Sequence, residues 1–110
     1  MIRVYLSGPI TGLSEAEYTR RFATAERHYE AAGYEVVNPV TLGQELQKTN
    51  PNPTWDDYMK VDLAGLRTCT HIAMLPGWHN SKGALREKEE AERLGLEIMQ
   101  YREIGGKKCK

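Results

Sequence analysis

Four short, mostly apolar segments alternate with longer segments of helical character, and this alternation restricts the possible folds more than any other feature of the chain. The apolar segments are "IRVYL" (2–6), "YEVV" (34–37), "HIAMLP" (71–76) and "LEIMQY" (96–101). Short apolar runs separated by helices are typical of parallel strands that are buried on both faces of a sheet. The sequence therefore predicts four strands of one parallel sheet.

Capping residues and 3.6-residue periodicity predict the helices between these strands. Ser14, Thr54 and Ser81 can each cap the start of a helix. Helices are therefore expected after the first strand, before the third strand and between the third and fourth strands. A further short helix at about 40–47 is left open by the sequence.

The order β-α-β-α-β-α-β predicts an α/β protein, with a flavodoxin-like or Rossmann-like open parallel sheet of four to five strands and helices on both faces. We expect a single domain over residues 1–104 and a flexible basic tail at 105–110. In such sheets, ligands bind beyond the carboxyl ends of the strands. The loops at that edge are 7–13, 38–41 and 76–82.

The balance of charge and the cysteine content argue against several classes of function. Lys and Arg number 15, as do Asp and Glu, so the surface suits a single nucleotide better than long nucleic acid. Cys69 and Cys109 form no C-x-x-C pair, which argues against a zinc site or a disulfide framework and fits a reduced, cytoplasmic protein. Without an apolar run of about 18 residues or a signal peptide, we expect neither membrane insertion nor secretion.

Two acidic residues fall on the apolar faces of predicted helices. At about 100° per residue, Glu87 lies in the same arc as Ala84 and Ala91, and Asp62 lies beside Met59 in the stripe of the preceding helix. A carboxylate that faces a core is costly unless it is paired or hydrogen-bonded. The two helices flank the third strand, so we expect the acids to share a cleft in which burial and mutual repulsion raise at least one pKa.

Paired carboxylates suit reactions at an anomeric carbon, where one attacks C1′ and the other protonates the leaving group. Two other interpretations remain open at this stage. Each acid could extend to the rim or pair with a neighbour such as Arg86 or Lys60, and the acids could bind a metal. His71 and His79 do not accompany them at ligand spacing, so we expect no metal and no other cofactor.

The loop after the first strand supplies further candidates for substrate binding. The segment "SGPIT" (7–11) offers the hydroxyls of Ser7 and Thr11, and Gly8 with Pro9 lets the backbone approach a ligand. It matches neither a P-loop nor G-x-G-x-x-G. A plain turn between strand and helix explains the same residues.

Other candidates come from the first strand and from the loop before the last helix. The hydroxyl of Tyr5 could orient a nucleophilic carboxylate. Ser81 and Gly83 could receive a phosphate or sugar at a helix N-terminus, and Trp78 could stack on a base. Ordinary capping and packing are the alternatives for these residues.

Three segments resemble, in order and over nearly the whole chain, the nucleoside 2-deoxyribosyltransferase superfamily: "VYLSGPITG", "DLAGLRTCTHIAMLPGW" and "SKGALREKEEAERLG". The closest likeness is to short phage- and bacteria-associated members of a domain family of unknown function. The superfamily also contains deoxynucleoside-monophosphate N-glycosidases. The resemblance implies a flavodoxin-like fold, a homodimer or larger homo-oligomer, and a nucleoside or nucleotide as the small-molecule partner.

The resemblance also implies roles for individual residues. Glu87 matches the nucleophilic glutamate, Asp62 the aspartate that assists departure of the base, and Tyr5 the strand tyrosine that positions the glutamate. Ser81 and Gly83 match the loop that receives the 5′ end of the substrate.

These expectations together predict an enzyme that cleaves or transfers the N-glycosidic bond of a 2′-deoxynucleoside or its 5′-monophosphate. The reaction would pass through a covalent glutamyl-deoxyribosyl intermediate. The sequence leaves two alternatives open, a non-catalytic module of the same fold that senses a nucleotide, and a metal-dependent hydrolase. It does not distinguish a hydrolase from a transferase.

Overall fold

Four strands and four α-helices make up most of the part of the chain that the structure, a computed structural model, describes, which is residues 1–102. In chain order the elements are β1 (Arg3–Ser7), α1 (Glu15–Ala31), β2 (Glu35–Val37), α2 (Pro39–Thr49), α3 (Trp55–Leu66), β3 (His71–Met74), a 3-10 helix (Trp78–Asn80), α4 (Lys82–Leu94) and β4 (Glu97–Gln100). The strands form one parallel sheet in the order β2-β1-β3-β4. This confirms the expected α/β fold. The boundary expected at 104 and the tail at 105–110 lie outside the described residues.

Alternation of side chains along β1 divides the core between the two faces of the sheet. Val4 and Leu6 belong to a cluster that contains Phe22 of α1. Tyr5 belongs to a second cluster, formed with residues of α3 and α4. Helices therefore cover both faces, and α3 and α4 share the face toward which Tyr5 and Ser7 point.

Side-chain caps begin the helices where the sequence predicted them. Ser14, Thr54 and Ser81 accept hydrogen bonds from backbone N–H groups in the first turns of α1, α3 and α4. The helix left open at about 40–47 is present as the longer α2, which Asn38 caps. None of the helices within residues 1–102 combines the length and apolarity needed to cross a membrane.

A buried carboxylate connects α4 to the end of α3. The side chain of Glu90 is 4% exposed and accepts hydrogen bonds from Arg67 at 3.2 Å and from Arg93 at 2.6 Å. Arg86 adds a third cationic contact at 3.6 Å. The hydrogen bonds from Arg93 are the largest influence on Glu90 and lower its pKa to about 2. This network holds together the two helices that carry Asp62 and Glu87.

Candidate active site

Glu87 is buried in the middle of α4, with 5% of its surface exposed. The Tyr5 hydroxyl donates to Glu87 Oε2 at 2.7 Å, and the Ser7 hydroxyl donates to Oε1 at 2.6 Å. Tyr5 and Ser7 are two residues apart on β1, so their side chains lie on the same face of the sheet. Each carboxylate oxygen therefore has its own donor, and the pair of donors fixes the orientation of the carboxylate.

Burial and hydrogen bonding act in opposite directions on the acidity of Glu87. Burial raises its pKa, the hydrogen bonds from Ser7 and Tyr5 partly offset that effect, and the result is a pKa of about 7. Burial and then the charge of Glu87 raise the pKa of Tyr5 well above 10. Near neutral pH the tyrosine thus remains a donor, and a large fraction of Glu87 is ionised.

Asp62 lies on α3 and is 7% exposed. Within the described residues, its Oδ1 is buried and has no hydrogen-bond partner. Burial and then the charge of Glu87 raise the pKa of Asp62 to about 8. Arg86, one of the partners that the sequence left open, pairs instead with Glu89 and Glu90. Because no donor compensates its burial, Asp62 keeps its proton at neutral pH more readily than Glu87 does.

Both carboxyls line one cavity of about 270 Å³, which is near the lower end of the range of about 300–1,000 Å³ for small-molecule pockets. The cavity lies beside the carboxyl end of β1, the edge at which open α/β sheets bind ligands. Its wall comes from the loop after β1, the loop before α4 and all four α-helices. The lining residues are Gly8, Ile10, Thr11, Glu15, Tyr18, Pro39, Val40, Gly43, Gln44, Gln47, Trp55, Tyr58, Met59, Asp62, Ser81, Gly83, Ala84 and Glu87.

Most of the residues predicted to form a site do come together. The predicted residues that line the cavity are Gly8, Thr11, Asp62, Ser81, Gly83 and Glu87. Tyr5 and Ser7 are fully buried and contact Glu87 from the sheet. The structure thus places Ser7, expected to contact substrate, as a hydrogen-bond donor to the carboxylate.

Gly8 lines the cavity, and close packing of its loop explains why this position is a glycine. A Cβ on Gly8 would lie 2.8 Å from Leu75 Cβ, whereas a Cβ on Gly83 would meet nothing closer than Met59 Sδ at 3.6 Å. Gly8 therefore permits the close passage of the loop over the end of β3. Gly83 leaves open space at the cavity wall that a small side chain would occupy without a clash.

Pro9 and Trp78 are not among the residues that line this cavity in the described part of the chain. A Cβ on Gly77 would lie 3.2 Å from the ring of Pro9, so the proline packs against that turn. Trp78 donates to Gln100 Oε1 at 3.2 Å, stacks on His79 and packs against the core. The base-stacking role expected for Trp78 therefore does not fit this cavity.

Three aromatic side chains that the sequence pattern did not assign to the site line the cavity: Tyr18, Trp55 and Tyr58. Gln47 Nε2 donates to the Tyr58 hydroxyl at 2.7 Å, which joins α2 to α3 at the cavity wall. Trp55 is seven residues, or two helical turns, before Asp62 and shares its helix face. The seven-residue spacing from Asp62 could therefore have predicted that Trp55 lines the same cavity.

The geometry places two carboxyls of different acidity on one small cavity. An ionised Glu87 has the charge and the fixed orientation that a nucleophile needs, and a protonated Asp62 can donate to a leaving group. The two carboxyls differ because β1 hydroxyls donate to Glu87, whereas Asp62 Oδ1 has no hydrogen-bond partner among the described residues. Among residues 1–102, no group of three His, Cys, Asp or Glu side chains is placed to hold a metal ion.

Comparison with known proteins supports the fold and identifies the family. The structure is similar to that of the Clostridium botulinum CMP N-glycosidase BcmB, with a TM-score of 0.58 and 21% sequence identity. The match covers 89% of this chain and 66% of the other. No curated protein matches the sequence. The model of a domain family of unknown function, DUF4406, matches residues 2–100, and the chain therefore belongs to the DUF4406 family.

Proposed function

We propose that this protein cleaves or transfers the N-glycosidic bond of a 2′-deoxynucleoside or its 5′-monophosphate through a covalent intermediate on Glu87. One observation carries the proposal: two buried carboxyls line one cavity, and only Glu87 has hydrogen-bond donors from the sheet. Retaining glycosidases use such a pair, in which one carboxylate attacks and the other carboxyl protonates the leaving group. The fold shared with a CMP N-glycosidase is consistent with this reaction class.

In the first half of the reaction, a Glu87 oxygen attacks C1′ of the sugar. The O–C1′ bond forms as the C1′–N bond breaks, and the electron pair of the broken bond goes to the base nitrogen. Asp62 gives its proton to the base, which leaves neutral, and Asp62 becomes ionised. Tyr5 and Ser7 stabilise the ionised nucleophile before the attack and the free carboxylate after the second half.

In the second half, water or a second base attacks C1′ and displaces Glu87 as a carboxylate. Asp62 accepts the proton of the attacking group, which restores the starting protonation states. Two displacements retain the configuration at C1′. Tyr18, Trp55 and Tyr58 line the cavity, and aromatic side chains are suited to contact with a planar base.

Release of free base from a panel of deoxynucleosides and their monophosphates tests the proposal. Chromatography measures the free base with and without a second base in the mixture, and with and without a chelator. We expect Glu87→Gln to lower kcat by about 10³-fold or more without loss of the folded state. The matched control is Glu89→Gln, which changes an exposed carboxylate on the same helix and should leave the rate unchanged.

Further measurements distinguish the covalent mechanism from the alternative functions. Mass spectrometry after rapid quenching should detect one deoxyribosyl group on the peptide that contains Glu87. Near-wild-type turnover by Glu87→Gln would refute the mechanism. Thermal stabilisation by a nucleotide without any base release would establish a sensing module instead, and inactivation by the chelator would favour a metal-dependent hydrolase.

A further inference from the structure

Every charged side chain that lines the cavity within the described residues is acidic. These side chains are Glu15 at the start of α1, Asp62 and Glu87. No Lys or Arg of residues 1–102 forms an ion pair with any of them. Asp62 in addition has a buried oxygen without a hydrogen-bond partner. Within the described residues, the ionisable groups of the cavity are therefore either neutral or negative, and no Lys or Arg pairs with them.

The same cavity has an aromatic wall. Tyr18, Trp55 and Tyr58 line it, and Glu15 lies near enough to Tyr18 that its charge, after burial, raises the pKa of that hydroxyl. Aromatic faces combined with carboxylates attract organic cations through the ring quadrupole and through the negative charge. The wall therefore favours a flat, positively charged group.

A cation is present nearby, but it lines a different space. Lys82 lines a smaller adjoining recess together with Thr11, Trp55, Asn80, Ser81 and Gly83. Its Nζ lies 4.3 Å from the centroid of the Trp55 ring. Lys82 is not among the residues that line the main cavity, and within residues 1–102 it forms no ion pair with the acids there.

We propose, on the basis of the function proposed above, that this cavity selects its substrate by charge: it prefers unphosphorylated nucleosides and most of all those whose base carries a positive charge, such as N7-alkylated purine deoxynucleosides. A phosphate beside Asp62 and Glu87 would oppose ionisation of both carboxyls and favour protonation of the nucleophile. A cationic base does the opposite, because its charge stabilises the ionised form of Glu87.

The chemistry of such a substrate balances without a proton from Asp62. A Glu87 oxygen bonds to C1′, the C1′–N9 bond breaks, and its electron pair neutralises the positive charge of the purine ring. The base then leaves as a neutral molecule. Water subsequently attacks C1′, Glu87 is released as a carboxylate, and the water proton passes to solvent because Asp62 has kept its own proton.

A ladder of three compounds with different charges tests the inference. The compounds are 7-methyl-2′-deoxyguanosine, 2′-deoxyguanosine and 2′-deoxyguanosine 5′-monophosphate. Each kcat/KM is divided by the rate of spontaneous base loss, which removes the greater intrinsic lability of the methylated compound. We expect the normalised kcat/KM to be highest for the cationic compound, lower for the neutral compound and lowest for the phosphorylated compound. Thermal stabilisation of the protein by each compound ranks their binding independently of turnover.

Glu15→Gln removes one negative charge from the cavity wall, and it should lower the preference for the cationic over the neutral compound by about threefold to tenfold. Glu17→Gln is the matched control, because Glu17 is an exposed acid of the same helical turn that is not among the cavity-lining residues. It should leave the preference unchanged.

Three results would overturn the inference while leaving base release intact. One is a monophosphate that is as good a substrate as the nucleoside or better, with Lys82→Met reducing only the monophosphate rate. The others are equal normalised rates for the cationic and neutral compounds, and equal effects of Glu15→Gln and Glu17→Gln. If no compound loses its base but the cationic one stabilises the protein most, the charge selection stands and the proposed reaction fails.

Discussion

Asp62→Asn should make the protein more stable at alkaline pH, because the folded state keeps Asp62 protonated at a cost. The pKa of Asp62 is about 8 in the folded protein against 3.8 for an ordinary aspartate. Between these two values the unfolded chain releases a proton that the folded chain retains, so the free energy of unfolding falls as pH rises. Because the pKa of Asp62 is raised in the folded state, its contribution to the free energy of unfolding is complete below pH 3.8 and is lost as pH rises through 8. Asparagine has nearly the same shape and does not titrate.

The magnitude follows from the size of the shift. At about 1.4 kcal/mol per pKa unit, the whole shift corresponds to a ceiling of about 6 kcal/mol. Water at the open side of the cavity relaxes part of the desolvation cost, so we expect about 2–3 kcal/mol between pH 5 and pH 9. For a chain of this size that difference corresponds to about 10 °C in Tm.

Thermal unfolding of the wild type and of Asp62→Asn from pH 5 to pH 9 measures the effect. The two Tm values should be close at pH 5, and the variant should be the more stable protein at pH 9. Asp56→Asn changes an exposed acid in the first turn of the same helix and should follow the wild type throughout. Parallel curves for Asp62→Asn and the wild type would show that Asp62 does not retain its proton, and the division of roles between the two carboxyls would then be wrong.

Three further predictions concern the two cavity carboxyls and the buried carboxylate of Glu90. The pH–rate profile should be bell-shaped, rising as Glu87 ionises near pH 7 and falling as Asp62 loses its proton near pH 8. Removing one donor with Tyr5→Phe or Ser7→Ala should lower kcat by about tenfold or more and move the rising limb of that profile to higher pH. Glu90→Gln should destabilise the protein to urea at pH 7, and the advantage of the wild type should shrink as pH falls from 4.5 toward 2, where Glu90 gains its proton.

Local sequence patterns were sufficient for the elements of the fold. The caps at Ser14, Thr54 and Ser81 are local hydrogen bonds, so the sequence shows them directly. Asn38 caps α2 and Pro39 occupies its first turn, a start signal that was not used for this helix. The full extent of α2 was not predicted, since a glycine inside the helix reduces the local signal.

The candidate site was predictable where it depends on position along one element. Angular position on the two helices was enough to single out Glu87 and Asp62. The position of Trp78 could not be predicted from its size and apolarity, because these do not show whether a ring faces a ligand or the protein. Its hydrogen bond to Gln100 depends on a strand far along the chain. The burial of Glu90 was not predicted for a similar reason, since its ion-pair partner Arg67 lies at the end of a different helix.

The difference in acidity between Glu87 and Asp62 comes from the strand and not from the helices. Both acids are buried on helices that cover the same face of the sheet, so burial alone would raise both pKa values. What separates them is the pair of hydroxyls on alternate residues of β1, which donate to Glu87, while Asp62 Oδ1 has no hydrogen-bond partner within residues 1–102. A tyrosine and a serine two residues apart on a central strand, followed by an acid on the facing helix, is therefore a pattern that predicts which of two buried carboxyls ionises more readily. The double substitution Asp62→Glu and Glu87→Asp should not exchange the relative acidities of the two positions, because the hydroxyls of β1 would still lie beside position 87 and not beside position 62.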